Sequence, residues 1–320
     1  MRSQSLFTVP LVAVAVLLTG CLDINLDHGS SDRYQEDFHF SYDLQPNGHV
    51  IAETFNGKVE IVGWDENKVD ISGTKYGSTE RLRDAVKLET HNSPSLVEVR
   101  AIHPSTSTGN SGARFIIKVP REAMVERVTS SNGAVRVEHV GNTSHVKTSN
   151  GSILVADASG DLDARTSNGP IEVARFNGSL SARTSNGKVR AEGISGKCEV
   201  ETSNASIEVR MNEATTAPVR MATSNGAITL AMDKAPKSDI RAESSNGSIT
   251  VKMPGGAAAR INADTSNASI SSEFEVLTQG NGDRGNKDHL SGTIGTGGPS
   301  IELTTRNGNI RIQKTSSSNN

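Results

Sequence analysis

The stretch "ARTSNGPIEVARFNGSLSARTSNGKVRAEG" (164–193) decides the fold, because it says the same thing twice, eighteen residues apart. Thr-Ser-Asn-Gly stands at 166–169 and again at 184–187. Its Asn recurs at Asn132, Asn150, Asn168, Asn186, Asn204, Asn225, Asn246, Asn267 and Asn307. The first four steps are 18 residues, the next three are 21, and the last is 40, which reads as two repeats with one Asn missing. A fixed period of this length marks a stacked repeat architecture.

Inside each repeat the period is two. Apolar pairs follow the Asn-Gly, as in Ile153/Val155, Ile171/Val173 and Ile249/Val251. Others precede the Thr-Ser-Asn, as in Leu162/Ala164, Cys198/Val200 and Ile240/Ala242. Alternation rich in β-branched residues predicts strands with one buried face. Each unit then holds two short strands and two turns, the second marked by Ser159-Gly160, Asn177-Gly178 and Ser195-Gly196. An antiparallel meander and a parallel β-solenoid both fit. Identity at a fixed period favours the solenoid, where each residue sits on its equivalent about 4.8 Å away. Right-handed coiling is the expectation from parallel crossovers.

Parity extends this. Leu162, Ala164, Thr166 and Asn168 share one parity, so Thr166 and Asn168 are expected inside with Leu162. Buried amides need partners, and stacked Asn side chains supply them as a ladder. Cys198 stands where Leu162 does, so it reads as a buried, inert thiol. Ala replaces Gly at Ala205 and Ala268. The Gly position therefore reads as a demand for smallness, with Gly187→Ala costing under about 1 kcal/mol. The outward positions form two rows. One runs Lys147, Arg165, Arg183, Glu201, Ala222, Glu243, Asp264, basic first and acidic later. Its neighbour runs His145, Asp163, Ser181, Glu199, Arg220, Arg241, Asn262 and tends the other way. Their signs partly cancel, as on an ordinary solvated face.

The ends differ from the middle. Arg2 precedes an apolar run from Leu6 to Leu18, which suits a signal-peptide core better than a membrane span. Leu18-Thr19-Gly20-Cys21 follows it. Residues 22–35 are polar and read as a flexible tether. Residues 36–120 alternate without the short period, hold most of the aromatics, and read as a β-rich cap, with one helical turn in 78–86 and a loop at 103–112. After Phe115 only Phe176 and Phe274 remain, so 121–313 is expected to fill its interior with small aliphatics. Closing strands are expected at 300–304 and 309–313, and 314–320 as a disordered tail.

The Cys21 motif resembles the lipobox of bacterial lipoproteins. That resemblance implies cleavage before Cys21, acylation of its sulfur, and attachment to the membrane; Leu22 at the next position resembles cargo bound for an outer membrane. "NGKVEIVGWDENKV" (56–69), "FIIKVP" (115–120), the Thr-Ser-Asn-Gly coils and "LSGTIGTGGPSIELTTRNGNIRI" (290–312) resemble the putative adhesin family of bacterial envelope proteins. The resemblance implies a parallel β-helix and brings no catalytic residues.

Chemistry is sparse. The net charge of −3 gives no reason to expect nucleic acid. Asp157, Asp161 and Asp163 lie close in sequence, but no matching carboxylate cluster recurs in adjacent repeats. His139 and His145 lack further residues at metal-ligand spacing. The Gly-rich run 278–298 has no strand-to-helix context for a phosphate loop. The reading is an all-β, lipid-anchored solenoid of the envelope, without cofactor or catalysis, that binds a polysaccharide or an envelope protein. The alternatives are a stress or signalling accessory docking on a membrane protein, and a polysaccharide-active β-helix enzyme.

Overall fold

The computed structural model describes residues 32–103, 109–214, 216–278 and 287–315. The leader, Cys21, most of the tether and the tail from 316 lie outside the described residues. Strand Tyr34–Asp43 begins inside the stretch read as tether, so the folded part starts earlier than residue 36. Among the described residues the helix is the single turn Glu80–Ala85, whose first turn is capped by the Thr79 hydroxyl accepting from Leu82 N. No helix there is long and apolar enough to cross a membrane.

The chain is a parallel β-solenoid. Leu162 pairs with Leu180, Leu180 with Cys198, Cys198 with Val219 and Val219 with Ile240, each one coil apart and parallel. The second inner row runs Val135, Ile153, Ile171, Val189, Ile207, Ile228, Ile249. All of these are buried. Parallel pairing at one repeat excludes the meander, and the two-residue alternation buries one face of every strand. In two coils the second turn is not a break. Ile153–Arg165 and Ile171–Arg183 are continuous strands that bend at Asp157 (φ 51) and Arg175 (φ 50), and again at Gly160 and Gly178. The Ser195-Gly196 corner does break the chain, between Val189–Ile194 and Cys198–Thr202.

The interior is less uniform than small aliphatics. Phe176 is fully buried, and Met211, Met221, Met232 and Met253 fill the 21-residue coils. Long, unbranched methionine fills irregular gaps in a core.

The coils are not stacked in chain order at either end. At the far end, Ile240–Ser244 pairs with Ser300–Thr305, and Ser300–Thr305 pairs in turn with Ala259–Thr265. The second strands agree: Ile249–Met253 pairs with Ile310–Lys314, which pairs with Ile270–Ser272. The last coil of the chain is therefore inserted beneath the one before it. The closing strands exist, but they do not close the stack. At the near end the first coil, 49–64, lies between coil 96–120 and coil 124–138. So the region read as a cap supplies two true coils.

Antiparallel additions finish both ends. Strand Lys68–Gly77 joins Ser111–Pro120 and Tyr34–Asp43, and Lys87–Ser93 joins Leu96–Ile102. Phe38, Phe40 and Tyr42 line one side of the first strand, and Phe38 meets Phe115 edge-on at 5.5 Å. At the other end His289–Ile294 runs antiparallel to Ala259–Thr265. Pairing or covering the terminal strands in this way blunts edges that would otherwise recruit further chains.

Candidate ligand-binding groove

The groove is built from the repeated corner. At Thr166-Ser167-Asn168-Gly169 the strand ends, and inside-outside alternation ends with it: Thr166 is buried, Ser167 and Asn168 are exposed, Gly169 is buried. Asn168 is thus outside, contrary to its parity, because parity holds only along an extended strand. Thr is the inward polar residue. Its hydroxyl donates to the Gly carbonyl of the neighbouring coil and accepts from its own Gly N–H. Thr166 Oγ1 donates to Gly151 O at 2.9 Å and accepts from Gly169 N at 3.3 Å. Thr184 repeats this with Gly169 and Gly187. The relay satisfies a buried hydroxyl at every level.

The Asn side chains form an exposed ladder. Asn150 Nδ2 donates to Asn132 Oδ1, Asn168 to Asn150, Asn186 to Asn168, Asn204 to Asn186, Asn225 to Asn204 and Asn246 to Asn225, at 2.6–2.8 Å. Asn307 then donates to Asn246, and Asn267 to Asn307. The 40-residue step therefore does not hold a coil that lacks its Asn: Asn246, Asn307 and Asn267 are successive rungs, and the step instead carries the antiparallel strands Val276–Leu277 and His289–Ile294.

Glycine at the corner is set by close approach. Gly187 has no positive φ, but a Cβ there would stand 1.8 Å from Gly169 O. The same holds at Gly151, Gly169, Gly226 and Gly247, at 1.7–1.9 Å. Ala205 and Ala268 are admitted at a cost. Both are half-exposed where Gly is buried, and among the described residues neither backbone N–H reaches the hydroxyl of Thr202 or Thr265.

The Ser beside each Asn forms one wall of a groove along the stack, about 650 Å3 in volume. Ser149, Ser167, Ser185, Ser203, Ser224 and Ser245 line it over six successive coils. The other wall is Lys147, Arg165, Arg183, Glu201, Ala222 and Glu243, and the Thr row is the floor. Its charges are tied laterally to the neighbouring row. Arg165 pairs with Asp163 at 2.8 Å, and Arg183 with both Glu199 and Glu201 at 3.0 Å. Arg220 and Arg241 reach Glu243, and Arg241 also reaches Glu302 at 3.2 Å. The lysine Lys197 beside Glu199, together with Arg183, holds that carboxyl below its usual range. Lys147 has no ion pair among the described residues. Sequence reasoning found both charged rows but missed the groove, because it put the corner Asn inside the coil, whereas the chain turns it outward beside Ser.

The remaining candidates fall elsewhere. Cys198 is fully buried, and burial pushes its thiol up to about 12. Asp157 is held by Arg175 at 2.6 and 2.7 Å, with His139 at 3.6 Å, on another side of the coil. Among the described residues no three His, Cys, Asp or Glu are placed to hold a metal ion.

Two solved structures are similar: a putative cell adhesion protein from Clostridium sporogenes ATCC 15579 (13% identity, 88% of this chain and 100% of that chain covered, TM-score 0.23) and a putative adhesin from Bacteroides fragilis NCTC 9343 (14% identity, 88% and 97% covered, TM-score 0.37). No curated protein matches the chain. The family model described as Toastrack DUF4097 matches residues 50–313, from the first interleaved coil through the last. The chain belongs to the Toastrack DUF4097 family.

Proposed function

We propose that this protein is a lipid-anchored binding module of the bacterial envelope, attached through Cys21 and engaging its partner along the groove. The observation that carries the reading is the groove itself: six coils present the same Ser hydroxyl at one-coil spacing, and five of them a charged residue opposite it. Such a surface matches an extended partner and offers no single reacting point. Its two acidic residues, Glu201 and Glu243, stand in one row and are each engaged by arginine, which suits recognition. The Leu18-Thr19-Gly20-Cys21 motif supports the anchor, and several acyl chains on one cysteine make attachment durable.

The test uses the full chain as bait against solubilised envelopes and a polysaccharide array, beside the variant with Ser167, Ser185 and Ser203 changed to Val. Capture by the wild type and its loss in the variant support the reading. Equal capture by both overturns it, and so does capture of nothing by a chain that also fails to bind itself. For the anchor, metabolic labelling with a fatty acid should mark the wild type and not Cys21→Ser.

A further inference from the structure

The charge pattern of this face largely reverses its sign from one half of the stack to the other, and that property selects a partner. Register fixes the levels. In the wall row the order is Lys147, Arg165, Arg183, then Glu201, Ala222, Glu243. In the neighbouring row it is Arg127, His145, Asp163, Ser181, then Glu199, Arg220, Arg241, Glu302. Levels are about 4.8 Å apart.

Place a two-fold axis in the face, across the rows, between the Arg183 and Glu201 levels. It lays each row against itself, reversed. Arg183 then opposes Glu201, and Lys147 opposes Glu243. In the second row Asp163 opposes Arg220, and Arg127 opposes Glu302, while Ser181 meets Glu199 and His145 meets Arg241 without an opposite-charge pair. Symmetry doubles each match, as in any isologous interface. The one carboxylate match, Glu53 against Asp264, falls at the margin, where Arg100 and Arg127 already flank Glu53 at 2.8 and 2.9 Å. Two copies running the same way about an axis along the stack, between the rows, instead lay one row on the other: Arg165 meets Asp163 and Arg241 meets Glu243, but Glu199 meets Glu201, Lys147 meets His145, and Arg183 meets only Ser181, so the central levels gain no opposite-charge pair.

We infer that the groove face is a homotypic docking surface, and that its partner is a second copy of this chain, packed antiparallel. This rests on the binding-module reading and names the partner of that same face. Antiparallel packing sends the two N-termini to opposite ends of the pair. With each chain anchored near its N-terminus, the anchors then lie in two facing membranes. The interface joins surfaces rather than neighbours in one surface. Each ion pair is exposed and individually weak, so the contact is reversible, salt-sensitive and dependent on many copies acting together.

The experiment is sedimentation of the full chain, with clustering of phosphatidylcholine vesicles bearing it. At about 50 mM salt the wild type forms dimers and clusters vesicles; at about 500 mM both fall roughly tenfold, as screening predicts. The acidic variant Lys147→Glu with Arg183→Glu is monomeric, and so is the basic variant Glu201→Lys with Glu243→Lys. Mixed, the two form heterodimers, and vesicles carrying one cluster with vesicles carrying the other. A monomeric wild type, or no recovery on mixing two folded variants, overturns the inference. A wild type that stays monomeric yet captures polysaccharide in the envelope assay overturns homotypic docking alone. A dimer that captures nothing else upholds it and confines the binding function to self-association.

Discussion

Asn307 donates its side-chain amide to Asn246 at 2.7 Å, although 61 residues separate them in the chain. Asn267, far nearer to Asn246 in sequence, lies one level further out and donates to Asn307 instead. The final coil is thus a wedge held on both sides. Leu303, fully buried on it, contacts the level of Ala242 below and of Ala263 above. Leu303→Ala should cost about 2–4 kcal/mol, as large-to-small core changes do. It should also loosen residues 259–272, although they precede it. Hydrogen exchange should show protection falling there as much as in 300–314; a loss confined to 300–314 would refute the wedge.

Gly187→Ala should cost about 1–3 kcal/mol, since a Cβ would collide with Gly169 O at 1.8 Å and displace Thr184 from its N–H. That exceeds the value expected from the two natural Ala corners. Ala205→Gly should fall within about 0.5 kcal/mol of wild type, because the regained Thr202 hydrogen bond offsets the flexibility of Gly. Urea midpoints of the two variants test the ranking.

Arg175 tests two opposed effects at one position. Its left-handed backbone (φ 50) costs about 1 kcal/mol, and its exposed pairing with Asp157 offsets only part of that. The equivalent residue one coil on is Gly193, φ 67. Arg175→Gly should therefore be more stable than Arg175→Ala by about 1 kcal/mol in thermal unfolding. Arg175 lowers the Asp157 carboxyl, so the pair's stabilisation is present above the unfolded carboxylate range and is lost as pH falls through the folded value. The gap between Arg175→Ala and wild type should close on acidification.

Cys198 should resist alkylation in the folded protein at pH 8 and react at once in urea. Its folded pKa is raised to about 12, so the native state holds the proton longer than the unfolded chain. Stability from this site is complete below the unfolded thiol value and is lost as pH rises above it. Cys198→Ser, isosteric but without that titration, should show a shallower loss of stability above about pH 9.

Much of this was legible in the sequence, for a physical reason. A solenoid writes its architecture into period and parity, so Leu162, Cys198 and Ile240 could be assigned to one inner row from spacing alone. Parity misled at Asn168, because it describes extended backbone and the strand ends at Arg165. The order of the last coils was not legible. Ile261 and Ile301 offer nearly the same pattern to Ile240, and local pattern cannot say which of two similar coils arrives between the others. Nor could the groove be read, since it depends on where a corner side chain points once alternation has stopped.

The two wedged coils also bear on manufacture. Chains are made from the N-terminus onward. The first coil waits for residues up to 138 before it is enclosed, and the far end stays unfinished until the final strands are made. A chain cut short between residues 272 and 300 lacks the strand that pairs with both Ile240–Ser244 and Ala259–Thr265 in the native stack. The far end is thus closed by strands made late in synthesis: the layer between Ile240–Ser244 and Ala259–Thr265 exists only once Ser300–Thr305 and Ile310–Lys314 have left the ribosome.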